Sequence, residues 1–254
     1  MVRHVFVRCA VAVAVAVALG SSAVVATPLA AVAAENRPPE QPVLSELATG
    51  DKGCVSGAER PYVRTRPQLR AVLRDPDAQP VSAEFEVSWK DGDGQTQVRS
   101  VQTIAKGSGS TFSWTVPSDV PAFTEVGWRV RASDGSARGP WSADGSKGAC
   151  EFVYDNKAPE KPSVSSPEYP DDDAWHGGVG VRGTFTVDSS SEDTVAYVYT
   201  FTGGTPQTVE PELPGGKAEF SWIPGRAAPM TLSVQAQDRA GNRSEPTTYR
   251  FRVA

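Results

Sequence analysis

Side chains able to do covalent or metal chemistry are scarce in this chain of 254 residues, which holds two His and three Cys. His4 and Cys9 fall in an N-terminal stretch with the character of an export signal, so His176, Cys54 and Cys150 remain. A nucleophile–histidine–acid triad would have to use His176, and no serine stands in a G-x-S-x-G elbow. Set between Trp175 and Gly177-Gly178, His176 reads as a turn or strand-edge residue. One His and two Cys cannot supply the four ligands of a structural zinc site. Paired-carboxylate glycoside chemistry needs two acids about 5–10 Å apart in a cleft, and nothing in the sequence singles out such a pair. A phosphate-loop pattern is absent. The chain is not expected to be an enzyme, and no cofactor is expected.

Two other residue types invite ligands. Asp171-Asp172-Asp173, with Glu168 nearby, crowds like charges that solvation or a bound cation would relieve, which makes the triplet a weak calcium candidate. Asp91-Gly92-Asp93-Gly94 opens like a calcium loop, but no Glu follows at the twelfth position, and a two-Gly hairpin explains it without metal. Six tryptophans raise the question of stacking on sugars. Trp89, Trp114, Trp128 and Trp222 occupy alternating strand positions and are expected in the core. Trp175 and Trp141 stand in turn-rich segments and are the surface candidates. For Trp141 there is a structural rival. Arg129 and Arg131 point to one face of a strand, and a Trp from a neighbouring strand would stack on both as cation–π pairs. Such an arrangement would resemble the Trp-Ser motif of cytokine-receptor modules, although Trp141-Ser142 is a single copy.

The elements that must carry these residues follow a period of two. Phe85, Val87 and Trp89 alternate with Glu84, Glu86 and Ser88, the pattern of a strand with one wet face. Trp128, Val130 and Ala132 alternate with Arg129, Arg131 and Ser133. Val181, Gly183, Phe185 and Val187 follow suit, as do Val195, Tyr197, Tyr199 and Phe201. Turn signals separate the runs, among them Lys106-Gly107-Ser108-Gly109, Gly203-Gly204, Gly215-Gly216 and Ala240-Gly241-Asn242. The 23 Gly and 21 Pro punctuate short strands and leave no amphipathic helical stripe. The fold class expected is all-β.

Residues 1–34 are set aside from the fold. Arg3 and Arg8 precede the apolar run Cys9 to Leu19, and Ala31-Val32-Ala33 or Val32-Ala33-Ala34 offers small residues at a cleavage site. The run is short of the roughly 20 residues that span a bilayer; a Sec-type signal is expected, with an uncleaved anchor as the alternative. Export makes Cys54 and Cys150 a disulfide pair, because no cytosolic reductant protects their thiols. The formal charge of −5 argues against a nucleic-acid partner. No membrane span is expected after processing.

An internal echo divides the remainder. Pro39-Glu40-Gln41-Pro42 recurs as Pro159-Glu160-Lys161-Pro162, and Phe112-Ser113-Trp114 as Phe220-Ser221-Trp222. Val130, Ala132 and Asp134 match Val234, Ala236 and Asp238 in spacing. Asp155-Asn156-Lys157-Ala158-Pro159 reads as the hinge. Two tandem β-sandwiches are expected after the signal, over residues 35–156, carrying the disulfide, and 157–254.

The stretch Trp128 to Gly135 followed by Trp141-Ser142 resembles the last strands of fibronectin type III-like domains. Asp238 to Ser244, then Tyr249-Arg250-Phe251, resembles the closing hairpin of bacterial immunoglobulin-like modules. With Tyr169-Pro170 and Trp175 to Gly178, the whole is similar to tandem modules of secreted actinobacterial proteins, as found next to laminin-G-like domains. The Cys pair departs from the usual disulfide-free fibronectin module. The resemblance implies a secreted, non-catalytic spacer or interaction module, either the N-terminal part or a relative of a longer extracellular protein. The partner it implies is an extracellular protein or glycan, and the module is expected to be a monomer. The alternative is an accessory carbohydrate- or cell-wall-binding module using Trp175 and Trp141.

Overall fold

The computed structural model describes residues 35–145 and 148–254. The export signal read in residues 1–34 lies outside them. Residues Asn36–Ala254 form one compact unit, built as two β-sandwiches. The first contains β1 (Leu47–Thr49), β2 (Lys52–Gly53), β3 (Tyr62–Val63), β4 (Gln68–Val72), β5 (Ser82–Lys90), β6 (Thr96–Gln102), β7 (Thr111–Thr115), β8 (Thr124–Ser133) and β9 (Cys150–Tyr154). The second contains β10 (Ser163–Ser165), β11 (Trp175–His176), β12 (Gly183–Asp188), β13 (Thr194–Phe201), β14 (Gln207–Val209), β15 (Ala218–Trp222), β16 (Ala228–Asp238) and β17 (Thr247–Val253).

The echo in sequence is an echo in topology. One face of the first sandwich orders β2-β1-β4-β7 and the other β3-β9-β8-β5-β6; the second orders β10-β12-β15 and β11-β17-β16-β13-β14. In each copy a two-residue strand adds in parallel to the last strand: β3 to β9 and β11 to β17. Phe112 and Phe220 lie buried on the equivalent strands β7 and β15. Pro39, Pro42, Pro159 and Pro162 are all buried, so the repeated Pro-x-x-Pro segment anchors each sandwich at its entrance.

Alternation puts the core where the sequence places it. On β5 and β8, Ala83, Phe85, Val87, Trp89, Val126, Trp128, Val130 and Ala132 face inward, each large side chain contributing about 1.5–3 kcal/mol by leaving water. Trp128 keeps its indole N–H satisfied by donating to Thr49 Oγ1 at 2.9 Å. Trp114 and Trp222 pack against the two cores while staying partly exposed. Val181, expected in strand, is exposed and precedes β12. Cys54 and Cys150 form a disulfide with Cα atoms 5.0 Å apart; it ties the segment after β2 to the first residue of β9.

In the second core, Tyr169 is fully buried among Phe185, Trp222 and Phe251. Its hydroxyl donates to the Val181 carbonyl at 2.8 Å. The ring fits because Gly177 and Gly183 flank it: a Cβ on Gly183 would meet a Tyr169 ring carbon at 2.4 Å. Among the described residues no helix is long and apolar enough to cross a membrane.

Candidate functional site

Three places bear on function, and each is built by strands in register. On the outer face of the first sandwich, β5 pairs with β8 so that Glu84 opposes Arg131 and Glu86 opposes Arg129. Arg131 Nε donates to Glu84 Oε2 and Arg129 Nε to Glu86 Oε1, both at 2.8 Å. The Arg131 hydrogen bond holds the Glu84 carboxyl below the ordinary carboxylate range, against a smaller opposing effect of burial. Trp141 lies over this pair, with each guanidinium carbon 4.2 Å from its ring centroid. It reaches them from a loop after β8, not from a neighbouring strand. That loop is held by its own bonds. Trp141 N donates to Asp144 Oδ2 at 2.9 Å, and Gln41 Nε2 donates to the Trp141 carbonyl at 2.9 Å. Ser142, buried, accepts the Val130 N–H on its hydroxyl at 3.1 Å. Trp141 is therefore half-buried and engaged by two cations, the arrangement set out as the structural rival to a sugar platform.

Trp175 occupies a different sandwich. It sits on β11 opposite Arg252 of β17, 53% exposed, with the Arg252 guanidinium 6.0 Å from its ring. The structure thus does not build one two-tryptophan site from Trp141 and Trp175. Beside Trp175, the three aspartates each find a separate partner. Asp173 bonds Arg252 Nη2 at 3.0 Å, and His176 Nε2 lies 2.8 Å from Asp172 Oδ1. Asp171 Oδ2 accepts the Arg250 N–H at 3.5 Å, and Glu168 instead accepts the Thr184 N–H at 2.9 Å. The Ala174 N–H and then His176 hold the Asp172 carboxyl below its ordinary range. Arg252, His176 and backbone amides thus contact the carboxylates of the weak calcium candidate. Asp91 is likewise used locally, capping its hairpin through the N–H groups of Asp93 and Gln95.

The Gly178-Val179-Gly180-Val181-Arg182-Gly183 run spells G-x-G-x-x-G. It opens onto strand β12 and not onto a helix, so it lacks the helix N-terminus that a dinucleotide phosphate requires.

The third place, where the two sandwiches meet, was not anticipated from sequence. Asn242, in the turn after β16, donates through Nδ2 to the Asp155 carbonyl at 3.0 Å and to Asp238 Oδ2 at 2.8 Å. Arg239 donates to the Tyr62 hydroxyl at 3.0 Å, with its guanidinium 5.2 Å from that ring. These bonds join the second sandwich to the end of the first. Asp155, Asp193 and Asp238 converge at this seam, with one carboxylate oxygen of each within 4.8 Å of the others. Asp155 and Asp238 are buried and Asp193 is half-buried. Burial pushes the Asp155 carboxyl above its ordinary range; the Asp238 and Asp193 charges add to this, and the Lys157 N–H opposes it. The sequence carried a trace of the site, since Asp155-Asn156 was read as hinge and Asp238 to Asn242 as closing hairpin, but not their meeting.

No family model and no curated protein matches the chain. Among solved structures, it is similar to the FN1–FN3 domains of chicken CNTN1, at 14% identity and TM-score 0.45, covering 86% of this chain and 68% of that one. The fibronectin(III)-like modules of Clostridium thermocellum CbhA share 18% identity at TM-score 0.43, over 82% of this chain and 93% of theirs. The PKD domain of an M14-like peptidase from Thermoplasmatales archaeon SCGC AB-540-F20 covers 38% of this chain and 96% of its own, at 18% identity and TM-score 0.33. The fold assignment rests on the strand order and register described above.

Proposed function

We propose that this chain is an exported, non-catalytic two-module spacer that presents an extracellular interaction surface. The observation that carries the reading is the seam itself. Side-chain bonds from Asn242 and Arg239 cross it, and Pro159 and Pro162 are buried beside it, so the hinge segment is an anchored connection. A spacer needs this property, because it transmits a separation only when its modules hold a defined angle. The side chains with chemical capacity are spent on structure: His176 on Asp172, and Trp141 on two arginines. The Cys54–Cys150 disulfide supports an oxidising destination. Small-angle scattering tests the reading. Wild type is expected to give one narrow distance distribution, and the double variant Arg239→Ala, Asn242→Ala a broader one. A wild-type distribution as broad as the variant's refutes the spacer.

The carbohydrate reading keeps one supporting observation, the 53% exposure of Trp175 on an edge strand. Glycan-array or cell-wall pulldown of wild type against Trp175→Ala tests it. Absence of wild-type binding ends it.

A further inference from the structure

The seam acids receive amide hydrogen bonds, Asp155 from the Lys157 N–H and Asp238 from the Asn242 backbone and side-chain N–H groups, but no cation balances their charge. Among the described residues, no lysine or arginine forms an ion pair with Asp155, Asp193 or Asp238. The nearby Lys157 directs its ammonium to the Phe123 ring, 5.7 Å from the centroid. Buried carboxylates in such proximity repel unless protonated or bound to a cation.

A second, independent observation lies in the neighbouring strand. Thr194 is fully buried, and its hydroxyl has no hydrogen-bond partner. In the register of β13 on β16, Thr194 stands directly opposite Asp238, so the two side chains share one face with Cβ atoms about 5 Å apart. A buried hydroxyl without a partner is costly to keep, and its lone pairs are free to meet a cation.

The first sandwich supplies an internal comparison. At its entrance, Asp134, which matches Asp238 in spacing, accepts Asn36 Nδ2 at 2.9 Å. Nearby Asp77 is held by Arg37 through backbone N–H and guanidinium, at 2.7 and 2.8 Å. There an arginine pairs with one of the acids, Asp77. At the seam the chain keeps the acids and provides no such cation.

We propose that Asp155, Asp193, Asp238 and the Thr194 hydroxyl form a calcium site at the seam between the two sandwiches. The donors are all hard oxygens, which suit calcium and offer zinc none of its preferred nitrogen or sulfur. The geometry comes from three separated segments, the end of β9, the loop before β13 and the end of β16, and calcium tolerates such irregular shells better than magnesium does. A cleft of about 350 Å³, lined by Phe123, Lys157, Ala158, Ser191, Glu192 and Asp193, opens beside Asp193. Binding is expected in the 10⁻⁴–10⁻³ M range, on the order of that typical for extracellular modules. The ion would link Asp155 of the first sandwich to Asp193 and Asp238 of the second. The inference does not depend on the spacer reading.

The test uses the full chain stripped with chelator, with calcium uptake measured by equilibrium dialysis and unfolding followed by heat. Wild type is expected to bind calcium and to melt higher in its presence. Asp193→Asn, at a half-buried residue without a side-chain hydrogen bond, is expected to weaken binding at least about tenfold, as is Asp155→Asn. Paired Asp171→Asn and Asp172→Asn substitutions are expected to leave binding unchanged. The proposal is overturned if wild type takes up no calcium, or if either seam variant binds as wild type does. It falls also if the paired Asp171 and Asp172 variant abolishes uptake, which would move the ion to that cluster. An equal or larger response to magnesium overturns the calcium assignment.

Discussion

Replacing Trp141 by Ala removes an indole that two guanidinia share, and the structure sets the size of the loss. Both arginine carbons lie 4.2 Å from the ring centroid, well inside the ~6 Å reach of a cation–π contact. The Arg131 side chain is 19% exposed and that of Arg129 37%. The more desolvated contact is then worth about 1–2 kcal/mol and the other about 0.5–1 kcal/mol. The salt bridges to Glu84 and Glu86 survive the substitution, so their energies stay out of the difference. The total, about 1.5–3 kcal/mol, corresponds to a fall of roughly 3–12 °C in the melting temperature of a chain this size. Differential scanning calorimetry on wild type and Trp141→Ala measures the loss. A double-mutant cycle with Arg131→Gln isolates the contact, with an expected coupling of about 1 kcal/mol or more. A loss below about 0.5 kcal/mol, or additive single effects, would refute the structural role of Trp141 and return it to the surface candidates.

Replacing Cys54 and Cys150 by Ser opens a loop spanning 96 residues and is expected to cost about 4–5 kcal/mol in chain-entropy terms, read from urea unfolding under non-reducing conditions. Gly183→Ala drives a methyl into the buried Tyr169 ring; a loss of about 1–3 kcal/mol or more is expected, and a stability equal to wild type contradicts the packing described. Because Arg131 holds the Glu84 carboxyl below its unfolded value, its contribution is present above the ordinary carboxylate range and vanishes as pH falls through the folded value. Melting curves of wild type and Glu84→Gln should therefore differ at neutral pH and converge in acid. Asp155 has the opposite sign: its raised value means that protonation relieves the seam. In chelator at neutral pH, Asp155→Asn should melt no lower than wild type, and a clear drop in melting temperature counts against seam repulsion.

The resemblance to fibronectin type III-like modules named the architecture at once, and the chain's own residues supply the physical grounds for it. Phe85, Val87 and Trp89 carry their burial in their spacing, because strand side chains alternate faces whatever the strand later packs against. Gly203-Gly204 and Asp91-Gly92 carry their turns in the same local way. The disulfide was legible because only one pair of cysteines lies beyond residue 34. Arg129 and Arg131 could be placed on one face, and Trp141 near them, although not the loop from which it arrives.

What the sequence determined by itself was therefore what neighbours in the chain impose on one another: strand faces, turn positions, the order of two similar units and the one available disulfide. Only the tertiary structure decided which distant groups meet. It gave each of Asp171, Asp172 and Asp173 a separate partner, two of them on β17, and set Trp141 against both arginines. It also gathered Asp155, Asp193 and Asp238, with Asn242 bonded across 87 residues to the end of the first sandwich. A strand's period acts over a few residues, whereas the field at a buried carboxylate depends on whatever folding brings within a few ångströms, and no spacing along the chain encodes that distance.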